Sequence, residues 1–301
     1  MTGAILPESS TELLRKHAHI LDKMEFVSRT PGMIPGAGRR PGTATGYSVD
    51  FADYRKYNYG DDVRYIDWSI YARLKKLFLR QYRAEAELAI HLLLDTSNSM
   101  SFGRLAKLEF ARKLAAIFAY VGLGRQDRVG VATFSSELHS VITPQRGSQQ
   151  LLHLLRLLDG VKPGGVSDFG QAFKSYAARA STRGLLVVLS DCFCSAGYQD
   201  ALRCLAFAGF EVVVIHILAD EELNPDLDEE VELRDLEHAE TRGLTVDSGA
   251  VAAYMQGMNA YARDLAAFCM SEGFLYVEAT SSLSFETLTV RLLRAGIWRS
   301  H

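Results

Sequence analysis

Four stretches of nearly unbroken aliphatic residues constrain this chain most: residues 88–94 (LAIHLLL), 128–134 (RVGVATF), 185–189 (LLVVL) and 212–218 (VVVIHIL). Each has strand length and lacks the polar alternation of a strand with one wet face, so each is predicted to be a strand buried on both sides. Amphipathic periodicity predicts helices over residues 107–121, 148–158, 169–180, 198–208, 250–271 and 285–294. Shorter strands are predicted at 138–142 and 274–277. Apolar strands alternating with helices specify an α/β fold: a mostly parallel central sheet with helices on both faces, of Rossmann type. Such sheets bind ligands beyond the carboxyl ends of their strands. The loops after Leu94, Phe134, Leu189 and Leu218 are therefore where function is sought.

The first third of the chain is less regular. Residues 10–27 are predicted to be a helix, and the Gly/Pro-rich residues 30–46 a loop. Residues 47–86 mix aromatic and charged side chains without a period and read as short strands and turns. This divides the chain into a small N-terminal α+β segment, residues 1–86, and an α/β domain, residues 87–301. Within the latter, residues 220–248 form an acidic insertion; residues 220–240 hold 11 Asp/Glu against one basic residue, Arg234, and read as a solvated surface.

Composition sets limits. Of 301 residues, 48% are hydrophobic and 23% charged, an ordinary globular balance. The net charge of −3 divides into +4 over residues 1–86 and −7 over the rest; neither part has the basic excess of a nucleic-acid binder. The longest nearly apolar run, residues 210–219, carries Glu211 and His216, whereas a membrane span needs roughly 20 apolar residues. No transmembrane segment and no nucleic-acid partner are expected. The N-terminus lacks a basic region followed by an apolar one, so a cytoplasmic protein with its four cysteines reduced is expected.

The loop after residue 94 reads Asp95-Thr96-Ser97-Asn98-Ser99, placing a carboxylate and two hydroxyls at alternate positions behind a buried strand. Gly164-Gly165-Val166-Ser167-Asp168 precedes a helix and offers a further hydroxyl and carboxylate; Ser190-Asp191 ends another buried strand at the same sheet edge. Asp95, Ser97, Ser99, Ser167 and Asp191 thus meet at one edge as a set of hard oxygen donors, suited to Mg2+, or to Mn2+ or Ca2+, rather than to zinc. Ser167 or Asp168 also fits a helix N-cap, and Asp191 a turn. Cys192-x-Cys194 has no second Cys or His pair at zinc spacing. No phosphate-binding G-x-x-x-x-G-K-[ST] loop, H-E-x-x-H pair or G-x-S-x-G elbow occurs. His91, within a buried strand, reads as a core residue.

The D-x-S-x-S sequence, the later Ser-Asp and the strand-ending Asp resemble the metal-ion-dependent adhesion site of von Willebrand factor A domains, over residues 88–297. Ser167 stands where that family usually has Thr, which keeps the hydroxyl. Upstream, Asp53-Tyr54-Arg55 and Gly60-Asp61-Asp62-Val63-Arg64-Tyr65-Ile66-Asp67-Trp68 resemble the bacterial DUF58 family, in which this run precedes a von Willebrand A-like domain. The resemblance implies a partner, a MoxR-type AAA+ ATPase, and chaperone-like work on other proteins. The residues themselves suggest that Asp53, Arg55, Asp61, Asp62, Arg64 and Asp67 form ion pairs bracing a small β unit, with Trp68 and the tyrosines supplying its apolar contacts, or else that the run is a partner-docking face. Three functions follow from these readings. The leading one is a non-enzymatic interaction module whose cation shell is completed by a partner's Asp or Glu. A metal-dependent hydrolase or phosphoryl-transfer enzyme is the second, with Asp168 the extra carboxylate. A structural domain without a bound metal is the third.

Overall fold

The computed structural model describes residues 10–28, 50–58, 63, 66–83, 87–194, 196–225, 230–234, 241–245 and 248–300. They fall into two compact units, one of residues 1–30 with 88–301 and one of residues 31–87. In chain order the larger unit begins with α1 (Ser10–Leu21) and β1 (Met24–Phe26); the smaller holds β2 (Asp50–Lys56), α2 (Trp68–Leu74) and β3 (Phe78–Arg83). The larger unit continues with β4 (Ala89–Asp95), α3 (Lys107–Gly124), β5 (Arg128–Phe134), β6 (Leu138–Gln145), α4 (Ser148–Gly160), α5 (Phe169–Arg179), β7 (Leu185–Ser190), α6 (Gln199–Phe207) and β8 (Glu211–Leu218). It ends with α7 (Asp220–Leu223), β9 (Glu230–Arg234), β10 (Thr241–Thr245), α8 (Ser248–Ser271), β11 (Leu275–Thr280), α9 (Phe285–Arg294) and β12 (Trp298–Ser300).

The expected α/β architecture is present. Six strands run in the order β11-β8-β7-β4-β5-β6, all parallel except β6, which pairs antiparallel with β5. Every residue of β4 and β7 is buried, as periodicity-free apolar strands require. Successive side chains serve opposite faces. Ile90, Leu92, Leu94, Val187, Ile215 and Ile217 join a core with residues of α1, α3, α4 and α9. Leu93, Val188 and Val214 join a second core with residues of α5, α6 and α8. The strands also hold their ends in line: Asp95 lies opposite Phe134, and Ser190 opposite His216.

The packing is tight where β7 begins. A Cβ built on Gly184 would stand 2.2 Å from the carbonyl oxygen of Ala89 at the start of β4. Backbone yields less readily than a side chain, so Gly184→Ala is expected to cost about 1–3 kcal/mol. Urea unfolding checks this, and an unchanged midpoint would contradict the close approach.

Three sequence expectations are corrected. The helix expected over residues 10–27 stops at Leu21, and residues 24–26 form a strand instead. Met24 and Phe26 are buried with the period of two of β1, which pairs antiparallel with β12, a strand that periodicity did not reveal. The Phe26 ring meets Phe118 and Trp298 edge-on at 5.4 and 6.0 Å, so long-range packing decides the local structure. Residues 10–28 accordingly fall in the larger unit, whereas the sequence placed them with the segment ending at residue 86.

The second correction concerns the smaller unit. Beside its antiparallel β2–β3 pair it contains a helix, α2. Asp67 caps that helix, accepting hydrogen bonds from the backbone N–H of Ser69 and Ile70 at 2.8 and 3.1 Å, while the Tyr54 hydroxyl donates to its other oxygen. Trp68, expected to supply apolar contact, is 61% exposed. Asp61, Asp62 and Arg64 lie outside the described residues, as do the side chains of Asp53 and Arg55 and the loop of residues 30–46.

The third correction is in the acidic insertion. Part of it forms the antiparallel β9–β10 pair. Glu222, on α7, is buried rather than solvated.

Candidate functional site

The carboxyl edge of the sheet is organised around Asp95, the last residue of β4. Its Oδ1 accepts a hydrogen bond from the Ser97 backbone N–H at 2.9 Å, a local turn that bends the chain away from the strand. Its Oδ2 accepts one from the Ser190 hydroxyl at 2.5 Å, reaching across from the end of β7. The Thr96 N–H and hydroxyl both donate to the Phe134 carbonyl, fastening the loop to the end of β5. The chain then enters a 3-10 turn, Asn98–Ser101, with the Ser97 and Ser99 hydroxyls 3.0 Å apart.

The loop carrying Ser167 is tied to this turn by backbone hydrogen bonds. Gly164 N–H donates to Thr96 O at 2.7 Å, and Asn98 N–H to Gly165 O at 2.9 Å. Gly165 has a φ of +87°, and a Cβ there would stand 2.7 Å from the Ser135 hydroxyl oxygen, so glycine suits both its conformation and its space. Ser135 itself is buried and hydrogen-bonds His139 Nε2 through its hydroxyl at 2.7 Å. Asp168 caps α5, accepting from Gly170 N–H at 2.9 Å, while Ser167 is buried beside it.

Asp191 follows β7 directly. Its Oδ1 accepts from Phe193 N–H at 3.0 Å and its Oδ2 from the Lys107 ammonium at 2.8 Å. Lys107 also donates to Glu222 Oε1 at 2.5 Å. Sequence reasoning missed this lysine, the glutamate and the Ser190 hydroxyl. Lys107 did carry a signal: it opens α3, where the helix dipole disfavours a cation, so its charge needs local compensation.

Asp95, Ser97 and Asp191 are fully buried, Ser167 nearly so, and Ser99 is half-buried. Burial first, and then the charge of Asp191, push the Asp95 carboxyl up to about 7, against the hydrogen bonds from Ser190 and Ser97. Asp191 and Glu222 share the Lys107 ammonium, and the Asp95 carboxyl adds to them in the same buried region, close enough to feel the charge of Asp191. That excess of negative charge, beside neutral hydroxyl oxygens, fits a hard dication. Among the described residues no group of three or more His, Cys, Asp or Glu side chains is arranged to hold a metal ion, so a cation here would depend on the serine oxygens as well.

The neighbouring Cys192 is a buried non-glycine residue at φ +57°, an uncommon conformation. Burial raises its thiol well above the ordinary range, which makes it a poor nucleophile or ligand. All four cysteines are unbridged.

A family model described as "Protein of unknown function DUF58" matches residues 53–267. The chain is 29% identical over 241 residues to "Uncharacterized protein Rv1480" of Mycobacterium tuberculosis, covering 78% of this chain and 72% of that one. Similar solved structures include the conserved hypothetical protein BatB from Bacteroides thetaiotaomicron, at 15% identity and TM-score 0.43 over 69% of this chain and 98% of the other. Another is a von Willebrand factor type A structure from Catenulispora acidiphila, at 14% identity and TM-score 0.34 over 45% and 34% of the two chains. Among the described residues no helix is long and apolar enough to cross a membrane.

Proposed function

The chain belongs to the DUF58 family, and we propose that it is a non-enzymatic, cytoplasmic protein-interaction module that binds a divalent cation at the carboxyl edge of its sheet. Asp95, Ser97, Ser99, Ser167 and Asp191 would hold the ion, with Mg2+ the leading candidate and Mn2+ or Ca2+ the alternatives. The observation that carries this reading is the pair of fully buried carboxyls, Asp95 and Asp191, beside buried serine hydroxyls, with the Lys107 ammonium on Asp191 shared with Glu222. When bound, the dication supplies a Lewis-acidic point to which a partner's Asp or Glu can attach.

The chain's own residues set what such a site can do. Hydrogen bonds hold the Asp95 and Asp191 carboxyls in place, which supports their acting as fixed donors to an ion. The Ser135 hydroxyl is buried, stands close under Gly165 and hydrogen-bonds His139 Nε2 at 2.7 Å. The proposed partner is a MoxR-type AAA+ ATPase, in chaperone-like assembly or maturation of client proteins; this rests on the family resemblance.

Calorimetric titration with Mg2+ and Mn2+, with pull-downs in the presence and absence of EDTA, tests the reading. Asp95→Ala is expected to abolish the metal heat and EDTA-sensitive capture of the ATPase. Circular dichroism should be unchanged, because alanine removes a buried carboxyl without stranding a charge. Metal binding and capture that survive in this variant would overturn the reading. Chelation-sensitive turnover of phosphoesters or peptides would favour an enzyme instead.

A further inference from the structure

The metal reading leaves the Lys107 ammonium without a role. Its side chain has no solvent exposure, and it stands at the first position of α3, where a positive charge is disfavoured. The rings of Phe193 and Phe102 lie 5.2 and 6.0 Å from it. Its two acceptors come from different elements. Asp191 follows β7 and belongs to the proposed cation set, whereas Glu222 stands on α7 and does not.

Glu222 is firmly placed. Its Oε2 accepts a hydrogen bond from Ala219 N–H at 2.7 Å. The adjacent Glu221 accepts one from Arg104 N–H at 2.9 Å, which ties α7 to the loop leading into α3. Gly103 in that loop, at φ +97°, lies so near that a Cβ would stand 2.8 Å from the Cβ of Ala219. The lysine therefore faces two fixed carboxylates, of which only one is needed elsewhere.

We propose that Lys107 is an exchangeable internal counter-ion: it neutralises Asp191 while the sheet edge holds no dication, and it rests on Glu222 alone once one is bound. This inference rests on the cation reading above and adds the residues that set its affinity. A dication beside Asp191 meets a unit positive charge a few ångströms away. Glu222 offers that charge a second seat inside the protein, so the ammonium need not be expelled to water or left unpaired in a dry site.

Calorimetric titration of the full chain with Mn2+, comparing wild type, Lys107→Met, Glu222→Gln and the double variant, tests the exchange. Lys107→Met is expected to bind Mn2+ about tenfold tighter, because a repelling charge has gone. Glu222→Gln is expected to bind about tenfold weaker, because the ammonium then stays on Asp191. In the absence of Lys107 the Glu222→Gln penalty should shrink below about threefold. A merely structural role weakens both single variants, and that result would overturn the exchange, as would a penalty that stays near tenfold in the double variant. In either case wild-type heat leaves the cation site standing; no heat from any of the four chains overturns the site and the exchange together. If circular dichroism shows Lys107→Met unfolded, Glu222→Gln is compared with the double variant: tighter binding by the latter supports the exchange, and equal or weaker binding overturns it.

Discussion

Lys107→Ala is expected to lose about 3–5 kcal/mol of folding stability, because it leaves Asp191 and Glu222 buried with no cation between them. A domain's whole stability is about 5–15 kcal/mol, so the variant should be close to unfolding at moderate temperature. The magnitude follows from burial. The Arg112–Glu109 pair on the surface of α3 is as short, at 2.8 Å, but both side chains reach solvent, and Arg112→Ala should cost no more than about 1 kcal/mol through that pair. Urea unfolding of the two variants at neutral pH separates the cases. A Lys107→Ala loss as small as the surface one would show that the buried carboxylates are relieved by water or by protonation.

The second large effect is a pH dependence. His91, on β4, has its Nδ1 2.8 Å from the Tyr176 hydroxyl oxygen. Burial, and after it the positive charge of Arg183, lower its pKa from 6.5 to about 4. A base held below its unfolded value stays neutral in the folded chain while the unfolded chain takes up a proton. Its contribution is therefore complete above pH 6.5 and disappears as the pH falls towards 4. The loss from this one residue amounts to about 2 kcal/mol at pH 5 and about 3 kcal/mol at pH 4. Asp95 works in the opposite direction. Its carboxyl is raised to about 7, so the folded chain protonates first, and that group favours folding as the pH falls from 7 to 4. Buried His216, also lowered to about 4, and Glu222, raised by burial, add to the total curve, and the difference between wild type and His91→Phe/Tyr176→Phe isolates His91. The double variant should lose less stability on acidification, by the amounts given; parallel curves would place a solvated, ordinary imidazole at position 91.

Strands buried on both faces were the most legible part of the fold, because short apolar runs such as LLVVL at 185–189, alternating with amphipathic helices, fit a covered parallel sheet. Residues 128–134 and 285–294 coincide with the elements observed there. Strand β1 was hidden because Met24 continues the spacing of α1, and Trp298 and Phe118, distant in sequence, pack against Phe26 in the strand. At the site, Asp95, Ser97, Ser99 and Asp191 announce themselves by type and by position behind apolar strands. Lys107 and Glu222 do not. A lysine opening an amphipathic helix and a glutamate among eleven acidic residues both look like solvated surface, and their pairing across the chain has no local signature. The Ser190 hydroxyl went unremarked because a serine ending a strand is an ordinary turn former until its partner, Asp95, is known.

The β1–β12 pair also bears on how the protein matures. Its two strands lie at either end of the described span, with Met24 opposite Ser300 and Val27 N–H donating to Ile297 O. On a ribosome, residues 24–26 emerge before residues 298–300 and lack their β12 partner until those have been released. Loop closure over such a separation is slow compared with pairing of neighbouring strands. In the meantime Met24 and Phe26 are exposed apolar groups on a nascent chain, the kind of surface that folding helpers shield.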